Sequence, residues 1–296
     1  LQPAENASTE SSSQPLPAWP VFVGFVVVLV ALNVLSALVM GIGVGREVIR
    51  GTVDAAHLNT ELVGSLLHEL ARRPVLASIT FVLTSAVFAG YALIAGAKAR
   101  EGLAMRLRLQ PSTVAATLFA TAALFSMSEL LDMLVESQGW LKHSHSLVQI
   151  RSVLWQMDGR WLSAALVIFA LLPGLGEELF FRGFVQSRLS RRWGSTWAVL
   201  FAALLFGIAH GDPVHSPLAF VMGLTLGAVV EWTGSLWPAI AAHVVNNALS
   251  VLETLGYVQF HLPDRWKVGA LATLLATGLI LLWSESDRRQ ELSPGN

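Results

Sequence analysis

Two adjacent carboxylates, Glu177 and Glu178, lie inside the apolar run LVIFALLPGLGEELFFRGF, and Arg182 follows four residues after the second. A charged side chain at bilayer depth costs roughly 2.5 to 3.5 kcal/mol even on the mildest insertion scale. Three of them in one apolar stretch point to a buried reactive or ion-handling site. On a helix, Glu178 and Arg182 share a face one turn apart, the geometry of an i,i+4 ion pair, while Glu177 points about 100° away. One carboxylate is then neutralised by the guanidinium and the other is left to face something else. A free, desolvated carboxylate is suited to take a proton from water. The spacing alone does not say which of the two glutamates is the base.

Two further polar constellations follow in apolar surroundings. FGIAH ends an apolar segment at His210, just before Gly211, Asp212 and Pro213, and HVVNN sets His243 and Asn247 one turn apart. Histidine is the side chain most easily used for proton transfer near neutral pH, and His with Asn can donate hydrogen bonds to a developing oxyanion. Each has an ordinary structural reading as well. A histidine at a helix end can be a simple hydrogen-bonder, asparagines such as Asn246 and Asn247 can glue helices together for ~1 kcal/mol, and Glu178 with Arg182 can be a structural ion pair. His215 and His261 are read as structural. What favours chemistry is that Glu, Glu, Arg, His, His and Asn all fall between positions 177 and 247 of otherwise apolar sequence.

These residues must be held by membrane helices. Hydrophobic residues make up 54% of the chain and charged ones 13%, against roughly a quarter charged in an average soluble domain. The expected class is an all-α integral membrane protein with about eight transmembrane helices and a polar catalytic cavity in the C-terminal half. The apolar segments lie near 19–43, 74–97, 113–135, 161–175, 196–209, 217–232, 238–254 and 267–283. Several are short or interrupted by Gly and Pro, which is tolerable at membrane depth only beside protein or a water-filled cavity. Residues 1–18 read as a disordered polar tail and 285–296 as a polar C-terminal tail. Residues 19–112 read as N-terminal transmembrane helices that include an amphipathic interfacial helix over about 46–73, and 113–284 as the catalytic core. With no Lys or Arg before it, the first segment reads as a retained span rather than a cleaved signal.

The net charge of −1 and the lack of a long basic run exclude nucleic acid as an expected partner. The absence of cysteine removes thiol nucleophiles and every Cys-based metal site. The basic groups Lys98, Arg100, Arg106 and Arg108, then Arg188, Arg191 and Arg192, then Arg288 and Arg289 fall on one side of an eight-span topology. The positive-inside bias makes that side cytoplasmic, although a full count of Lys and Arg is balanced between the sides.

Glu177-Glu178-x-x-x-Arg182, Phe206-x-x-x-His210 and His243-x-x-x-Asn247, intact and in order, resemble the three-motif signature of the CAAX protease and bacteriocin-processing (CPBP, Abi-like) family of intramembrane proteases. The resemblance covers roughly residues 113 to 255. It implies a helical membrane fold whose motifs line a cavity, with Glu177 as general base acting with His210 on a water. It further implies that His243 and Asn247 stabilise the oxyanion, and that Glu178 and Arg182 position the site. The expected function is a glutamate-dependent intramembrane endopeptidase acting on a membrane-associated protein or peptide, without a cofactor, in a bacterial inner membrane. Prenylated C-terminal segments, bacteriocin-like leaders and C-terminal sorting segments all remain open as substrates. The alternatives are a zinc-dependent version of the same protease, an ion-coupled transporter, and a non-catalytic scaffold or immunity protein. No HExxH and no GxSxG setting is present.

Overall fold

The computed structural model describes residues 17–98, 101–259 and 264–292. Almost all of the expected N-terminal tail, the last four residues and His261 lie outside them. Ten helices carry the architecture: α1 (Trp19–Ile49), α2 (Thr60–Ala71), α3 (Pro74–Ala97), α4 (Val114–Ser137), α5 (His145–Trp155), α6 (Gly159–Trp193), α7 (Ser195–His210), α8 (His215–Thr233), α9 (Trp237–Thr254) and α10 (Asp264–Leu292). No strand occurs among the described residues.

The boundaries follow local chemistry. Proline occupies the first turn of α1, α3 and α9, where its missing N–H costs nothing. Thr113 and Ser144 cap α4 and α5 by accepting from Ala116 N and Leu147 N. Helices α7 and α8 end at Gly211 and Gly234, whose φ angles of 59° and 64° are costly for a residue with a Cβ.

All eight apolar segments are helical, and the protein is an all-α membrane protein. Among the described residues five helices are long and apolar enough to cross a bilayer: α1, α3, α4, α6 and α8. The expected count of eight is therefore not reached on length and composition. Helix α7 has 16 residues, and the apolar part of α10 is similarly short. Asn246, Asn247 and Glu253 dilute α9. The amphipathic segment also divides differently from the expected 46–73. Residues 46–49 continue α1, a turn through Gly51 at φ 71° breaks the helix, and Asn59 caps a new one at Thr60. Leu66 and Leu70 of α2 are buried, whereas Ile49 is 87% exposed.

At the centre is α6, packed against α3, α7 and α9. It is not a uniform α-helix: Val167–Leu171 and Leu179–Gln186 form wider, π-type turns. The first precedes Pro173, whose ring and missing N–H break the ordinary ladder. The second begins directly after Glu178. Such turns recur where a helix carries function. Around them Phe180, Phe181, Phe184, Phe88 and Phe206 form one aromatic core.

Candidate active site

Two glycines set how deeply the glutamates sit. A Cβ on Gly174 would lie 2.7 Å from Val244 Cγ2 and 3.0 Å from the Val244 nitrogen, and one on Gly176 would lie 2.6 Å from the Ser85 carbonyl oxygen. Small residues here let the backbones of α9 and α3 close on α6. The next residues, Glu177 and Glu178, are thereby placed between those helices.

Glu178 and Arg182 form the expected pair. Arg182 Nη1 donates to Glu178 Oε1 at 2.7 Å with both side chains fully buried. Arg182 also donates from Nη2 to the Gly223 carbonyl at 3.2 Å, and its guanidinium lies 4.4 Å from the Phe206 ring centroid. His243 adds a contact the sequence did not foretell, its Nδ1 lying 2.9 Å from the same Oε1 of Glu178. Glu178 thus joins a fixed cation to a motif histidine. Glu178 Oε2 and Arg182 Nε have no hydrogen-bond partner among the described residues, a cost of about 1 to 3 kcal/mol each that clusters at functional sites.

Glu177 faces away from this pair into a cavity of about 600 Å³, which His210, His243, Asn246 and Asn247 also line. Its Oε2 lies 3.9 Å from His243 Nε2, too far for a hydrogen bond. The two groups therefore border one space without closing it. No hydrogen bond joins Glu177 to His210 among the described residues, so the neighbour of Glu177 here is His243. His210 Nδ1 is 2.8 Å from the Phe206 carbonyl. A carbonyl only accepts, so Nδ1 carries the hydrogen and Nε2 of the neutral ring keeps its lone pair.

His215, read as structural from the sequence, packs its ring against His210 at 4.4 Å between centroids and also lines the cavity. Ser146 Oγ is 3.0 Å from its Nδ1. Asp212 holds this corner together. It accepts from the backbone N–H groups of Val214, His215 and Ser146 and from the Ser144 hydroxyl, tying the start of α5 to the start of α8. Although burial opposes it, the hydrogen bonds from His215, Ser146, Ser144 and Val214 hold the Asp212 carboxyl well below the usual range.

Sequence reading missed the far end of the cavity. There Glu129, Asp132 and Glu136 of α4 join Arg151 and Glu253, and Lys267 of α10 pairs with Glu129 at 3.0 Å. The signal was the spacing of the three acids at i, i+3 and i+7 on one helical face. It also missed Gln186, one turn beyond Arg182, which donates to the Gly227 carbonyl and to Glu231, each at 2.9 Å.

A catalytic zinc site requires three protein ligands about 2.0 to 2.2 Å from one point. Among the described residues no three His, Asp or Glu side chains are gathered in that way. Glu178 Oε1 is already shared between a guanidinium and an imidazole.

Residues 159–249 match the family described as Type II CAAX prenyl endopeptidase Rce1-like. Two Bacillus subtilis (strain 168) proteins are similar in part. "Putative membrane peptidase YdiL" is 28% identical over 100 residues, which is 34% of this chain and 41% of that protein. "Uncharacterized protein YpbD" is 30% identical over 88 residues, 28% of this chain and 42% of that protein. The match thus spans less than half the length of either relative. No solved structure matches the chain significantly. The matched stretch contains the glutamate pair, Arg182, both motif histidines and Asn247, so the similarity to CAAX-type membrane peptidases falls on the residues that surround the cavity.

Proposed function

We propose that the protein is an intramembrane endopeptidase that hydrolyses a peptide bond of a membrane-associated protein or peptide, with Glu177 as general base and no metal. The observation that carries this reading is the division of the two carboxylates: Glu178 is locked by Arg182 and His243, while Glu177 faces a cavity bordered by His210, His215 and His243. Water held between Glu177 and His210 Nε2 attacks the scissile carbonyl and gives its proton to Glu177. A carbon–oxygen bond forms and the carbonyl oxygen takes the negative charge. His243, its Nδ1–H held by Glu178, acts as an imidazolium and donates its Nε2–H to this oxyanion, and Asn247 one turn along α9 donates an amide N–H. Collapse breaks the carbon–nitrogen bond, and Glu177 returns the proton to the leaving amine. Arg182 acts only through Glu178.

The test is a Glu177→Gln variant in native membranes, used to trap and identify co-purifying peptides, with cleavage of those peptides then measured in the wild type. Removing a general base costs about 10²- to 10⁴-fold in rate, and a variant that cleaves at full rate refutes the assignment. Activity is expected to survive a strong zinc chelator. Loss on chelation that added zinc restores would establish the metal-dependent version. Uptake of an ion by proteoliposomes without any cleavage would instead favour a transporter.

A further inference from the structure

Away from the cavity, the other end of α6 carries a basic cluster that the proposed chemistry does not use. Arg188 lies eleven residues beyond Glu177, roughly 16 Å along a helix. Arg188 and Arg191 there meet Arg106 from the connection after α3. Arg106 is only 3% exposed, yet among the described residues the hydrogen bonding of its guanidinium is a single long contact of 3.4 Å to Glu101. Arg191 binds the same carboxylate oxygen. Arg188 uses its Nε on the Pro17 carbonyl at 3.1 Å, which offers no charge. Arg106 and Arg191 share the one Glu101 carboxylate, and Arg188 adds a third positive charge that bears on Arg106, so the cluster has two positive charges in excess of that carboxylate. Burial first, and then the like charges of Arg191 and Arg188, push the Arg106 guanidinium below the ordinary arginine value. A buried, poorly paired cation is costly, and a phosphate is the anion whose geometry guanidinium groups match best.

The surroundings fix the level of this cluster. Trp19 opens α1, Trp193 closes α6 and Trp197 lies in the first turn of α7. Trp193 packs on Phe22 of α1 and Phe201 of α7, so the three helix ends lie together, with Trp19 and Trp197 exposed. Tryptophan at helix ends marks the headgroup layer. Exposed Arg192 lies in the last turn of α6, and exposed Lys98 caps the end of α3. A basic cluster at a membrane surface attracts the anionic headgroups of the leaflet it faces.

We propose that Arg106, Arg188 and Arg191 form a binding site for a phosphate group, supplied by the headgroup of an anionic phospholipid. The lipid phosphate replaces Glu101 as the counter-ion of Arg191 and completes that of Arg106, with its chains lying along the exposed apolar side of α1. The site is independent of the proposed hydrolysis.

The test uses the full-length protein, stripped of lipid in detergent, with binding read by native mass spectrometry and by Tm. Phosphatidylglycerol should be retained and raise Tm, whereas phosphatidylcholine should do neither. Arg191→Gln and Arg188→Gln should each weaken phosphatidylglycerol binding about fivefold, and Glu101→Gln should strengthen it by removing the competing carboxylate. Should Arg106→Gln fail to fold, the exposed Arg191 and Glu101 carry the test. Equal retention of the two lipids, or binding indifferent to both arginine variants, overturns the proposal. Inorganic phosphate raising Tm as much as phosphatidylglycerol, and displacing it, overturns the lipid source in favour of free phosphate.

Discussion

Helices α1 and α6 are both long and apolar enough to span a bilayer, but they spend that apolarity differently. In the most apolar stretch of α1 only 22% of residues are buried by protein, whereas in α6 the share is 56%. Val23, Val27, Val30 and Val34 of α1 point outward, as lipid-facing residues do. Glu178, Arg182 and Gln186 of α6 are fully buried. Apolarity therefore identifies both helices as membrane-embedded, and buried polarity separates the helix that holds the candidate site from the one that turns an apolar face outward.

The comparison breaks most readily at Glu178. Glu178→Ala leaves Arg182 buried without its counter-ion and releases His243, so we expect a loss of about 3 to 5 kcal/mol together with loss of cleavage. Glu177→Gln should lose cleavage with a thermal transition near that of the wild type, because Glu177 borders the cavity and its closest ionic contact is 3.9 Å away. Equal Tm losses at the two positions would contradict the division of labour between them.

Asp212 extends the rule to the cavity's corner. Asp212→Asn weakens four hydrogen bonds to a buried carboxylate, and a loss of about 1.5 to 3 kcal/mol is expected at neutral pH. Its folded-state pKa is depressed, so its stabilisation is fully present above the unfolded value near ~3.9 and is lost as pH falls through the lower folded value. Melting curves of wild type and Asp212→Asn should therefore stand apart at pH 7 and converge in strong acid. Gly176→Ala drives a methyl into the Ser85 carbonyl and should cost about 1 to 3 kcal/mol. The smallest effect should be Val30→Leu on the outward face of α1, within about ±0.5 kcal/mol by the same melting measurement. A large loss there would mean that this face is covered by protein.

The helices and the six motif residues could be read from the sequence because they rest on local rules, namely apolar runs, proline and glycine punctuation, and i,i+4 spacing. The Glu178–Arg182 pair is such a case. The bond from His243 to Glu178 spans 65 positions and depends on how α9 packs against α6, which Gly174 permits. No local pattern encodes it. His215 escaped for a similar reason, since its partners Ser146 and His210 converge only after Asp212 has joined two helix starts. The amphipathic stretch 46–73 misled because hydrophobic periodicity persisted across the break at Gly51.

The wide turn at Leu179–Gln186 has a consequence for how such a chain can change. A π turn closes its hydrogen bonds over one more residue than an α turn, so it behaves like a single-residue insertion absorbed into a helix. Chain length and helical phase are uncoupled at that point. A descendant could shed one residue there and revert to a plain α-helix, with the glutamates before the turn and the arginines after it keeping their facings. The site and the membrane-surface end of α6 can therefore drift apart in sequence length and remain aligned in space.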